Sequence, residues 1–154
     1  MNITLANRQR TKKINTRLLN QIAGELLTEL KMSEADLGIA LVGAKEMARV
    51  NWQFLQHEGA TDVITFDHES TRTNLHGELF ICVDVAVTQA QEFKSSWQSE
   101  LVRYVVHGVL HLLGYDDLQP ALWRKMKREE NRLVRLLAKR FALAQLSSAA
   151  KLRA

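Results

Sequence analysis

The chain predicts an α+β fold: a single small mixed β-sheet of about four strands covered by about five helices. Three observations predict it. Strand-like apolar runs crowd the first half of the sequence, and long amphipathic helical patterns fill the second. The length of 154 residues suits one compact domain with one core. No internal repeat and no long low-complexity linker divides it.

Taken in order, residues 2–6 (NITLA) read as a short strand. Ile14, Leu18, Ile22, Leu26 and Leu30 recur every four residues and predict a helix over 14–30. Residues 37–42 (LGIALV) suit a buried strand, and a helix follows over 44–55. A polar break at 57–61 precedes two strands, 63–66 (VITF) and 78–83 (ELFICV), joined by a polar loop over 68–77. Asp84 is placed to cap a helix of about 85–94. A further helix runs from about 98 to 113 and stops at Gly114. Pro120 opens a last helix, about 121–143, with Leu122, Met126, Leu133, Leu137 and Phe141 on its inner face. The folded domain is expected over 1–143, with 144–154 as a flexible basic tail.

Apolar residues make up 46% of the chain and charged residues 25%, the balance of an ordinary globular protein. No run approaches eighteen apolar residues, which argues against a spanning helix. The N-terminal residues lack the apolar stretch of a secretory signal. Cys82 is the sole cysteine, so an internal disulfide and a cysteine-based zinc cluster are excluded. A cytoplasmic protein is expected. The net charge of +4 is unevenly spread. Residues 1–20 carry five bases and no acid, and 121–154 carry ten bases against Glu129 and Glu130. Basic ends suit a phosphate-rich partner, although solvated helix faces give the same pattern. The acidic middle is a reasonable place to hold a cation.

The chemistry concentrates in His107-Gly-Val-Leu-His111-Leu-Leu-Gly114-Tyr-Asp-Asp117. Histidines four apart share one helix face and can grip one metal ion. Gly114 can take the left-handed turn that reverses the chain and returns Asp117 to the imidazoles. Two nitrogens and one carboxylate oxygen leave a fourth position open, as in catalytic zinc sites. A lone histidine on an apolar helix face is ordinarily a core residue, but this pair with a following Gly and Asp is harder to assign to packing. Asp116 competes with Asp117 as third ligand and is a candidate proton carrier. The zinc-peptidase spacing is similar, but a peptidase needs a glutamate directly after the first histidine, and here that residue is Gly108.

HGxxHxxGYD resembles instead the signature of the YbeY family of bacterial endoribonucleases and rRNA maturation factors. Asn51 followed by Thr61-Asp62-Val63-Ile64-Thr65-Phe66, then Gly77-Glu78-Leu79-Phe80-Ile81-Cys82, and then Asp84 with Ala90, resemble further blocks of the family in the same order. The resemblance covers about residues 35–137. It implies a hydrolase cutting single-stranded RNA, with roles in 16S rRNA 3′-end maturation and ribosome quality control. It also implies one divalent metal per chain, zinc by default with other transition metals as alternatives, on His107, His111 and Asp117. The same three positions, with Asp116 in place of Asp117, form the expected catalytic set. Partners would be RNA and the ribosome, with ribosomal proteins or GTPases as protein candidates, and neither DNA nor membrane. Thr61, Asp62, Arg124 and Lys125 are candidate substrate contacts, each with a bland alternative: a strand-start turn for the first two, a solvated helix face for the others. Trp52, Trp97 and Trp123 can stack on bases but are expected to pack.

Four positions depart from the family pattern. Asp117 stands where the family usually has His, and Leu55 where it usually has Arg. Ala60 replaces a Pro and Glu78 an Asp. His57, two residues beyond Leu55, is either a stand-in for the missing cation or an ordinary loop histidine. Two rival readings follow: a non-enzymatic ribosome-assembly factor with a structural metal, and a zinc peptidase or amidase.

Overall fold

The computed structural model describes residues 1–147. Its elements are β1 (Asn2–Asn7), α1 (Thr16–Glu29), β2 (Glu34–Val42), α2 (Ala44–Val50), β3 (Val63–Asp67), β4 (Asn74–Cys82), α3 (Val83–Glu92), α4 (Trp97–Leu112) and α5 (Pro120–Arg140). A π-helical turn, Asn51–Leu55, extends α2, and a 3-10 turn, Leu143–Ser147, follows α5. The expected α+β class holds, with one mixed sheet in the order β1-β2-β4-β3. β1, β2 and β4 run parallel, and β3 is antiparallel to β4.

Side-chain alternation explains the sheet. Leu75, Gly77, Leu79 and Ile81 point to one face of β4, and Leu37, Ile39 and Leu41 do so on β2. That face receives α1 and α4, α5 packs on those two helices, and together they form the main core. The other face carries a small second core of Val42, Met47, Val50, Ile64 and Cys82 under α2. The helical periodicity of α1 buries Leu19, Ile22, Ala23, Leu26 and Leu27, and Asn15 caps its start by accepting from the Leu18 amide at 3.1 Å.

α4 is the central helix. Leu101, Val102, Val105, Val106, Val109 and Leu110 are all buried, so apolar residues surround its axis. Two glycines let it lie against the sheet. A Cβ on Gly108 would sit 2.7 Å from Cδ2 of Leu79, and one on Gly77 would sit 2.8 Å from the Phe66 carbonyl oxygen and from Leu112. A side chain at 108 would have to displace Leu79.

Several expectations are corrected. β4 begins at Asn74 and β2 at Glu34, because their pairing continues beyond the apolar runs that mark them in sequence. Asp84 does not cap α3. The helix starts at Val83, and the Asp84 carboxylate reaches across to accept from the Ala44 amide at 2.6 Å and from the Thr11 hydroxyl, so it caps α2. Leu122 lies on the exposed side of α5. Residues 144–147 of the expected tail belong to the fold. Leu146 is fully buried in the main core, and its carbonyl accepts from the Asn15 amide at 2.8 Å. Residues 148–154 of that expected tail lie outside the described residues. No helix among the described residues is long and apolar enough to cross a membrane.

Candidate metal centre

α4 carries His107 and His111 on its one polar stripe, with ring centroids 4.7 Å apart. The helix ends in a Schellman turn. The Gly114 amide donates to the His111 carbonyl and the Tyr115 amide to the Leu110 carbonyl, each at 3.0 Å. Gly114 sits at φ +96°, a conformation natural to glycine. The turn sends Asp117 back, and its Oδ2 lies 3.5 Å from Nε2 of His111. One ligand atom from each of His107, His111 and Asp117 falls within 4.8 Å of the others. These donors fit a divalent transition metal: two imidazole nitrogens and a carboxylate oxygen, all partly open to solvent.

A residue missed in the sequence completes the arrangement. Glu130 on α5 is 2% exposed, and its Oε1 lies 2.7 Å from Nδ1 of His107. Its Oε2 accepts from Arg103 at 2.7 Å and from Lys127 at 3.1 Å. Burial alone would raise its pKa. The hydrogen bonds from His107 and Arg103, with the charge of Lys127, outweigh burial and hold the carboxyl at about 2. An ionised Glu130 favours the proton on Nδ1 of His107 and would leave Nε2 free to ligate, the usual carboxylate–histidine support of a metal site. Its sequence signal was a glutamate four residues from Met126 and from Val134 within an apolar stripe.

The cavity beside the three candidate ligands, about 350 Å³, is lined by Leu55, Asp62, Val63, Thr65, His107, His111 and Asp117. A neighbouring cavity of about 370 Å³ shares Asp62 and His107. Of the candidate substrate contacts, Asp62 therefore lines the cavity beside the cluster. It is anchored by the Val63 amide at 2.7 Å, and Thr61 contacts it from one side at 3.3 Å. Asp116 is placed elsewhere. Its Oδ1 accepts from the Leu118 amide at 2.8 Å, a local turn bond, and it lines a separate cavity with Lys125 and Arg72. Lys125 stands 5.9 Å from the Tyr115 ring, and Arg124 is exposed on α5. Leu55 is exposed at the cavity mouth, and His57 lies exposed in the following loop. His68 and His76 are surface residues, as expected, with His68 3.0 Å from Glu78. Trp52 and Trp123 are exposed rather than packed.

The fold and the centre together define a class: a small α+β domain with a candidate His-His-Asp metal site at the end of its central helix. The sequence model of the Endoribonuclease YbeY family matches residues 4–138, and the chain belongs to that family. An Endoribonuclease YbeY from Chlorobium phaeovibrioides is 40% identical over 62% of this chain and 64% of its own length. One from Finegoldia magna is 34% identical over 77% of this chain and 82% of its own. One from Anaeromyxobacter is 33% identical over 88% and 71%. The matched segment thus spans just under two thirds of the Chlorobium protein. A Thermotoga maritima protein solved in solution shares the fold, with a TM-score of 0.69 over 99% of both chains at 22% identity.

Proposed function

We propose that the protein is a metal-dependent endoribonuclease that cuts single-stranded RNA at the His107–His111–Asp117 centre. Its physiological target would be the 3′ end of 16S rRNA, its setting cytoplasmic ribosome maturation and quality control, and its partners RNA, the ribosome and associated proteins or GTPases. The observation that carries this reading is the convergence of the three ligand atoms within 4.8 Å. Names carried by the family relatives support the substrate class.

His107, His111 and Asp117 would hold the ion, with zinc the first choice for this ligand set. A divalent ion there would offset negative charge on the phosphodiester and make a water more acidic. Glu130 fixes the His107 ring so that Nε2 stays aimed at the centre. Asp62, which lines the cavity beside the cluster, is better placed than Asp116 to orient a substrate or accept a proton. Arg124, Lys125 and the other exposed bases of α5 would add affinity for the RNA backbone that weakens with salt.

The test pairs metal content by mass spectrometry with RNA cleavage, for the protein and its His111→Ala variant. We expect about one metal per chain, and both metal and cleavage lost in the variant. Undiminished cleavage by the metal-free variant would overturn the mechanism. One observation keeps a second reading in view: Leu55, an apolar side chain, stands in the cavity where the family usually has Arg. Co-sedimentation with ribosomes but no metal-dependent cleavage would favour a non-enzymatic assembly factor. A peptidase is disfavoured because Gly108, which can neither take nor give a proton, stands where its general-base glutamate would be.

A further inference from the structure

The second cavity, about 370 Å³ between α3, α4 and α5, shares His107 and Asp62 with the cavity beside the His107–His111–Asp117 cluster. Its polar pattern is one-sided. Arg103 donates to Oδ1 of Asn131 at 2.7 Å, and an arginine can only donate, so the Asn131 oxygen is committed and its NH2 is left over. Tyr104 donates its hydroxyl proton to Oε1 of Gln89, which likewise leaves the Gln89 NH2. Burial, helped by the Asp62 and Glu100 carboxylates, pushes Tyr104 well above the usual tyrosine range and keeps it a donor. Neither NH2 has a protein partner among the described residues. Phe93 stands at the rim, 64% exposed, and offers an aromatic face.

The charges oppose a phosphate in this cavity. Arg103 and Lys127 both contact Glu130, and Asp62 and Glu100 add two more carboxylates, so the lining has no positive excess. A neutral, flat, acceptor-bearing group fits better, and the volume lies within the range of small-molecule sites.

We infer that this cavity is a base-reading subsite that takes an unpaired keto base, uracil or guanine, from the nucleotide beside the scissile phosphate. The inference rests on the endoribonuclease reading. Carbonyl oxygens of the base accept from the Gln89 and Asn131 NH2 groups, and the ring stacks on Phe93. Adenine has no carbonyl and offers only ring nitrogens beside its amino group, so it is the poorer match for the two donors.

The experiment uses the metal-loaded protein and single-stranded oligoribonucleotides that differ at one position, with kcat/KM as readout. Uracil or guanine should be preferred over adenine by roughly threefold to tenfold, the worth of one neutral hydrogen bond. Gln89→Glu and Asn131→Asp each turn a donor into an acceptor at nearly constant shape. Either should move the preference towards adenine and cytosine, with metal content and Tm measured alongside because each variant also adds a charge. Phe93→Ala should raise KM for every base without changing their order. Equal rates for the four bases in the parent protein, or a preference untouched in both donor-to-acceptor variants, would overturn the subsite. If the loaded protein cuts no RNA, the endoribonuclease reading fails separately. Fluorescence anisotropy with labelled oligouridine and oligoadenosine then decides. Tighter oligouridine binding that reverses in Gln89→Glu supports the subsite, and equal binding overturns it.

Discussion

Nδ1 of His107 lies 2.7 Å from Oε1 of Glu130, twenty-three residues downstream on another helix. The contact sets which nitrogen of the imidazole faces the cavity beside the cluster. Glu130→Gln removes the charge that holds this tautomer and should weaken zinc binding by roughly 10–100-fold. Glu130→Ala also takes the shared carboxylate from Arg103 and Lys127, both partly open to solvent, and should cost about 1–3 kcal/mol of stability. Competition with a chromogenic chelator reads the first effect and urea denaturation the second. Unchanged zinc affinity in Glu130→Gln would show that the contact does not orient the ligand.

Asp117 contributes the one hard oxygen donor of the set. Replacing it by a third imidazole should favour zinc over manganese. We expect Asp117→His to tighten zinc on the order of tenfold, equal to about 1.4 kcal/mol, with manganese weakened. Parallel titrations with the two ions check this, and an unaltered zinc-to-manganese ratio would count against Asp117 as a ligand.

Two glycines should respond with opposite sign to alanine. At Gly77 the new Cβ would meet the Phe66 carbonyl oxygen at 2.8 Å, a backbone atom of the adjoining strand. Gly77→Ala should lose about 1–3 kcal/mol through overpacking. At Gly24, inside α1, the nearest atom is Ile3 Cδ1 at 3.9 Å, an ordinary contact. Gly24→Ala should gain about 0.5–1 kcal/mol, because glycine weakens a helix interior. Thermal unfolding of both variants compares them directly.

Tyr104 gives the protein an alkaline limb. Burial first, then the Asp62 and Glu100 carboxylates, raises its pKa far above the ordinary 10. The folded state thus keeps a proton that the unfolded chain releases. The stability contribution is full below pH 10 and falls as pH rises towards the folded-state pKa. Between pH about 10 and 11 the loss should approach about 1 kcal/mol, and Tyr104→Phe should remove it. Urea midpoints across that range measure it, and an identical slope in both proteins would refute the assignment.

Much of this molecule was legible before folding. Alternation in β2 and the fourfold spacing of Ile22 and Leu26 are local signals, and local signals locate strands and helices. His107, His111 and Gly114 were legible for the same reason, since one helical turn and one helix stop bring them into play. Asp117 follows only three residues after that stop, close enough for its return to be foreseen.

What the tertiary structure decided lies between segments far apart in the chain. Glu130 reads as one acid among basic neighbours until α5 packs on α4 and places it beside His107. Asp84 reads as the cap of its own helix, yet it caps α2, forty residues earlier. Asp116 and Asp117 are neighbours with the same side chain, and only the path of the loop gives one to the metal cluster and the other to the Leu118 amide. Leu146 reads as part of a tail until the core closes over it. The physical reason is common to Glu130, Asp84 and Leu146. Spacing along a chain reports which residues share a face, whereas the partner of a buried charge or side chain is chosen when separate faces meet and must satisfy one another.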